Sequence, residues 1–273
     1  MIAQTPNLDD IIGVGGVELQ LVFDYWLVFF LHTIRLSAFF ISAPFFGAAS
    51  IPVQVRVMVS ILISVSLFGK VEVPDPQTLP FLLLVEVIMV EIAMGLLLGL
   101  ILTVLFSSVA LAGEKVASSA GLGFAAQVDP NLGGQTPVIS QLLNLFGIVL
   151  FLAMDGHLVC IALIKGSYDL MPLGRPFNFQ ALIASGLTSG GHMFSMASLL
   201  SFPIVAILLL ANITVGVITR SAPQLNLFSF GFPLTILACF FALYFATTPM
   251  AFATRDLLNF ILEFLETSIQ GSA

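Results

Sequence analysis

FLLLVEVIMVEIAMGLLLGLILTVLFSSVALA, residues 81–112, carries only Glu86 and Glu91 as charges. About 20 residues rising about 1.5 Å each cross the roughly 30 Å hydrocarbon core, so this run is long enough to span a membrane as a helix. Lipid cannot satisfy backbone N–H and C=O groups, which makes helix the natural state of such a segment. The stretch therefore sets the fold class: all-α, integral to a membrane or associated with one. Ionisable groups at that depth face protein or a wet cavity, not lipid. Five residues apart at about 100° per residue, Glu86 and Glu91 lie about 140° apart and do not form one acid pair. Gly95 and Gly99 make a GxxxG pair that would admit a second helix backbone.

The next residues, GEKVASSAGLGFAAQVDPNLGGQTP (113–137), are the longest interruption among the apolar runs and join the two halves of the chain. A loop meant for open water is more polar than this one. Gly121, Gly123, Phe124, Ala125 and Ala126 are small or apolar, and only Glu114, Lys115 and Asp129 are charged. The stretch is expected to pack against protein or to line a closed passage.

Composition agrees. The chain of 273 residues is 59% hydrophobic and 8% charged, with a mean hydropathy of +1.11; soluble domains carry about a quarter charged residues. The eight basic residues are scattered singly, so the net charge of -7 comes with no nucleic-acid footprint. Cys160 and Cys239 lie inside apolar runs and read as small hydrophobes, not as a disulfide or metal site. No Lys or Arg precedes Arg35, so the basic head of a cleaved signal peptide is missing and the first run is expected to be retained. The runs follow one another closely, and residues 1–273 read as one domain. Its special segments are an acidic tail at 1–20, the central loop at 113–137 and an amphipathic helix at 255–273.

About six apolar segments can be drawn. Leu21–Ala49 contains His32, Arg35 and Pro44. Val53–Phe68 is too short to cross lipid comfortably. After Phe81–Ala112 and the central loop comes Val138–Ile164, then a Gly/Ser-rich link at 178–192, then Met193–Thr219 with Pro203. The last run, Phe228–Phe252, is expected to break at Pro233 and Pro249. Lys165–Phe177 reads as a solvent-facing turn. On one continuous helix Gln141, Asn144 and Asp155 would share a stripe, suited either to helix–helix hydrogen bonds or to a proton or ion path. If all six runs alternated across the membrane, Lys70, Lys165, Arg175 and Arg255 would lie on one side and Arg56, Lys115 and Arg220 on the other. Four against three assigns no orientation. With the prolines and the short second run, that tie points to hairpins covered by other subunits, not all crossing lipid.

Catalytic motifs are few. HExxH, CxxC, GxxxxGK and GxGxxG are absent, so no metal or cofactor is expected. GLTSGGH (186–192) brings Ser189 close to His192, but three residues of separation on a Gly/Ser turn do not build a triad. A secondary transporter of a small solute is the alternative, for which Glu86, Glu91 and Asp155 would serve; the halves share only Ser-Ala-Pro at 42–44 and 221–223.

Three stretches carry a resemblance: GEKVASSAGLGFAAQVDPNLGGQTPVIS (113–140), FLAMDGHL (151–158) and RSAPQLNLFSFGFPL (220–234). Through them the chain resembles the FliR family of flagellar biosynthetic proteins, export-gate subunits of type III secretion. The resemblance implies a non-enzymatic subunit in the bacterial inner membrane at the flagellar basal body. It would assemble with FliP and FliQ, beside FlhB and FlhA, into a helical ring of bent hairpins that passes unfolded flagellar proteins. It also implies that the segment matching Gly113–Gly134 closes the channel at rest. Phe124 with Gly121 and Gly123 would form the apolar seal, and Asp129-Pro130 with Gly133-Gly134 the return turn. A dry apolar constriction stops water and ions.

Overall fold

The computed structural model of the chain describes residues 19–44, 51–67, 80–122, 137–174, 178–222 and 230–271. These residues form helices and no strand: α1 (Leu19–Ser42), α2 (Val53–Leu67), α3 (Phe81–Ser119), α4 (Val138–Ala153), α5 (Gly156–Leu170), α6 (Phe179–Ser221) and α7 (Phe232–Gln270). The all-α class follows as expected. Several boundaries do not.

α3 runs past Ala112 to Ser119, so Gly113, Glu114 and Lys115 are helical and the loop begins later than composition suggests. A single helical glycine costs about 1 kcal/mol against alanine. Burial of Val116, Ala117 and Ala120 holds the added turns in place. The Gly/Ser-rich link before the fifth run is likewise helical. It forms the first turns of α6, where Asn178 Oδ1 caps the start by accepting from the Ala181 amide at 3.0 Å. Pro203 and Pro249 lie within α6 and α7 without ending them. Neighbouring turns stay packed there through Leu200, Ile204, Ala246 and Met250. Pro233 falls in the first turn of α7, where its missing N–H is not needed. The amphipathic ending is the continuation of α7, and Lys165, expected in a turn, is an exposed residue of α5.

The fourth run is two helices. Met154 (φ -92°) and Asp155 (φ +55°) end α4, and the pair α4–α5 bends by 67°. Aspartate tolerates the left-handed region better than most residues. Gly156 is required next, since a Cβ there would collide with the Phe151 ring. The break removes the common stripe: Asp155 no longer follows the wheel of Gln141 and Asn144.

Two compact units divide the chain. Unit 1 takes in 1–103, 158–188 and 262–273, and unit 2 takes in 104–157 and 189–261. In unit 1, α2 packs on α1 with Ser60 and Ser64 inward. Leu31, Leu36, Phe40, Leu98 and Ile101 are fully buried there. α3 approaches α1 closely at Gly95 and Gly99, where a Cβ on either would overlap α1 at Arg35 O or Ser42 Oγ. Thr103 Oγ1 extends the same contact by donating to Ser42 O at 2.6 Å. In unit 2, Phe106 and Phe151 meet edge to face with centroids 5.9 Å apart, and Gly147 lies against Val109.

Among the described residues four helices are long and apolar enough to cross a membrane, or five segments if the bent pair is one span. α3, α6 and α7 have 39, 43 and 39 residues. At about 1.5 Å per residue they reach ~58–65 Å, twice the ~30 Å hydrocarbon core. α2, at 15 residues, is too short to cross.

Candidate functional site

Unit 1 holds a charge cluster inside its apolar core. Arg35, on α1, is fully buried, and Glu91, on α3, is 1% exposed. Arg35 Nε donates to Glu91 Oε2 at 2.6 Å and Nη2 to Oε1 at 3.0 Å, a bidentate pair. The outer donors reach α5 and the residue after it. Nη1 donates to Ser167 Oγ at 3.0 Å, and Nη2 also to Met171 O at 2.8 Å. The guanidinium carbon stands 4.2 Å from the centroid of the Tyr168 ring, a cation–π geometry. Tyr168 in turn donates its hydroxyl to His32 O at 2.6 Å. His32 Nδ1 lies 2.7 Å from Val28 O, while Nε2 is buried with no hydrogen-bond partner among the described residues.

Of Glu86 and Glu91, Glu91 is thus consumed in an ion pair and Glu86 is exposed. Neither Arg35 nor the α5 residues stood out in the sequence as members of one cluster. The available signal was an arginine inside an apolar run, which demands a counter-charge from another run.

Unit 2 contains the start of the central stretch. Gly113 meets α4 so closely that a Cβ would overlap Ser140 Cα. Ser140 Oγ donates to Ala110 O at 2.7 Å on the same face. Gly121 has φ +81°, with the Phe232 ring beside it, and Leu122 N closes back onto Ala117 O at 3.0 Å. This is a left-handed glycine C-terminus of a helix. Thr235 Oγ1 lies 3.3 Å from Ala120 O and Asn212 Nδ2 donates to Ser119 O at 3.0 Å, covering carbonyls of the last turns. Gly123, Phe124, Asp129, Pro130, Gly133 and Gly134 lie outside the described residues.

Beside α3's end runs an open groove of about 560 Å³ lined by Glu114, Lys115, Ser118, Ser198 and Phe202 among others. Lys115 Nζ donates to Ser198 Oγ at 2.6 Å there. Gln141 is exposed and Asn144 half-buried on α4, and Asp155 is exposed at the break. The suspected Ser189–His192 pair sits on a continuous helix, with Ser189 fully buried and the His192 ring against Phe260 at 5.0 Å.

Long apolar helices, a buried ion pair where two of them cross and glycines at close helix crossings define a multi-helix integral membrane protein. Residues 26–260 match the family described as bacterial export proteins, family 1. The flagellar biosynthetic protein FliR of Escherichia coli (strain K12) is 31% identical over 224 residues, covering 80% of this chain and 85% of that protein. The FliR of Pectobacterium carotovorum is 32% identical over 211 residues, 76% of this chain and 79% of that protein. That of Bacillus subtilis (strain 168) is 29% identical over 250 residues, 89% and 94%. The chain belongs to the FliR family of bacterial export proteins. Its apolar helices fit an inner-membrane component of the flagellar export apparatus.

Proposed function

We propose that the chain is a subunit of the flagellar type III protein-export gate, one of several membrane proteins enclosing the path by which unfolded flagellar proteins cross the inner membrane. The observation that carries this reading is the export-family match, which runs unbroken from α1 into α7. Helices twice as long as the hydrocarbon core is thick, with apolar faces left open along α6 and α7, suit a place among other subunits. FliP and FliQ are the proposed direct neighbours, with FlhB and FlhA adjoining. Energy for transport is assigned to those partners.

In this reading the stretch 113–137 closes the channel at rest. Support comes from its composition and from Gly121, whose left-handed backbone ends α3 and turns the chain away from the helix axis. Phe124 supplies the apolar seal, and Asp129-Pro130 with Gly133-Gly134 the return turn. Gln141, Asn144 and Asp155 are assigned to polar contacts with other helices, and Glu86 to a contact outside this chain.

Mild-detergent purification from cells co-expressing the neighbouring subunits tests the assignment. A complex of fixed stoichiometry is expected; a monodisperse chain that moves a small solute by itself would overturn it. Shortening Gly121–Ala126 is expected to raise the resting ion conductance of the assembled gate. Wild-type conductance in that variant would remove the plug assignment while leaving the gate assignment standing.

A further inference from the structure

We propose that Arg35 is a positioning residue with two tiers of contact. It joins α1 to α3 as a standing pair and uses its outer donors to seat α5 as a separately releasable helix.

The tiers differ in kind. Between α1 and α3 the contact is an ion pair with both Glu91 oxygens engaged, set beside a backbone-on-backbone crossing at Gly95 and Gly99. Nothing larger than hydrogen fits there, and removing either charge would strand the other in an apolar interior. The α5 segment is held to Arg35 by neutral groups: Ser167 Oγ, Met171 O and the Tyr168 ring. Water can replace neutral partners of a guanidinium when a helix lifts, whereas it replaces a buried carboxylate only at much greater cost.

Two features of the seat point the same way. A small gap remains under α5, lined by Phe39, Leu98, Cys160, Ile164, Leu265 and Ile269, so the apolar part of this contact is imperfectly filled. His32 Nε2, with its ring 6.0 Å from that of Tyr168, is buried with no hydrogen-bond partner among the described residues where α1 meets α5. The Met154–Asp155 break also ends the α4 hydrogen-bond ladder before α5 begins, so α5 is not braced by a continuous helix. The inference concerns this chain's own packing and does not depend on which subunits surround it.

Cys160 and Cys239, both 1% exposed, supply a native readout. Cys160 faces the gap under α5, and Cys239 lies in α7 within unit 2. The full chain in membrane vesicles is labelled with N-ethylmaleimide, and each site is followed by peptide mass spectrometry. Combining Ser167→Ala with Tyr168→Phe keeps the shapes and removes one outer partner of Arg35 together with the Tyr168 hydroxyl bond to His32 O that also holds α5 to α1. Labelling of Cys160 is expected to accelerate about ten-fold, the factor that ~1.4 kcal/mol carries, while Cys239 keeps its rate. Arg35→Lys keeps a cation for Glu91 but lacks the planar fork, and the same selective acceleration is expected. Equal acceleration at both cysteines in these variants would show general loosening and overturn the proposal. No change at Cys160 in either the double variant or Arg35→Lys would overturn it as well, since α5 would then be seated without the guanidinium fork and its outer partners.

Discussion

Each unit places a cation on an apolar helix, and the two are treated in opposite ways. Arg35 in unit 1 is fully buried, with Glu91, Ser167, Met171 O and the Tyr168 face around it. Lys115 in unit 2 borders an open groove and donates to the hydroxyl of Ser198. A planar fork with five donors can be satisfied from several helices at once, while a flexible ammonium carries its charge to whatever is near. Only one of these charges holds the fold: removal of a compensated buried pair member leaves its partner stranded, and removal of a solvent-reaching one leaves little behind. Glycine is used alike in both units. Gly99 lets α3 touch α1, and Gly113 lets α3 touch α4.

The contrast is sharpest at Glu91. Glu91→Ala is expected to destabilise the chain by about 3–5 kcal/mol, because Arg35 would stay buried without its counter-charge. Loss of helical circular dichroism on heating the purified protein measures it. A loss no greater than that of a Lys115 variant would erase the distinction between the two cations.

Close approach of backbones should matter equally in both units. Gly99→Val and Gly113→Val are each expected to cost about 1–3 kcal/mol through overpacking, read in the same thermal assay. A large loss at Gly99 with none at Gly113 would confine tight helix crossings to unit 1. Ser140→Ala, which removes the donor to Ala110 O beside Gly113, is expected to cost about 1 kcal/mol. Additivity of Ser140→Ala with Gly113→Val would separate the hydrogen bond from the crossing it accompanies. The smallest effect belongs to Lys115→Met, within about 0.5 kcal/mol. A substantially larger loss would mean that the groove cation, too, holds the fold.

Much of this architecture was legible from residue types. The class, the short second helix and the role of Gly95 and Gly99 all follow from apolar run length and spacing, which act within one helix or at one crossing. The misread boundaries share another cause. Gly113, the glycines and serines of 178–192 and Pro249 are local helix breakers, and their costs are offset by the packing of long helices on both sides. The stripe of Gln141, Asn144 and Asp155 failed for the converse reason: a single left-handed residue at Asp155 resets the helical phase, and run length gives no warning of it.

The family, too, was within reach of sequence, because the stretches at 113–140, 151–158 and 220–234 are long and read without gaps. Residue chemistry by itself determined that this protein is helical, membrane-bound and built from about six apolar segments, since lipid leaves a backbone few alternatives. Only the tertiary structure decided that Glu91 belongs with Arg35 and not with Glu86. It also decided that Gly113 is a packing glycine inside a helix and that the Arg35 guanidinium meets Ser167, Tyr168 and Met171. Each of those facts joins residues far apart in the chain, and a buried charge or a missing Cβ shows its partner only once the helices have met.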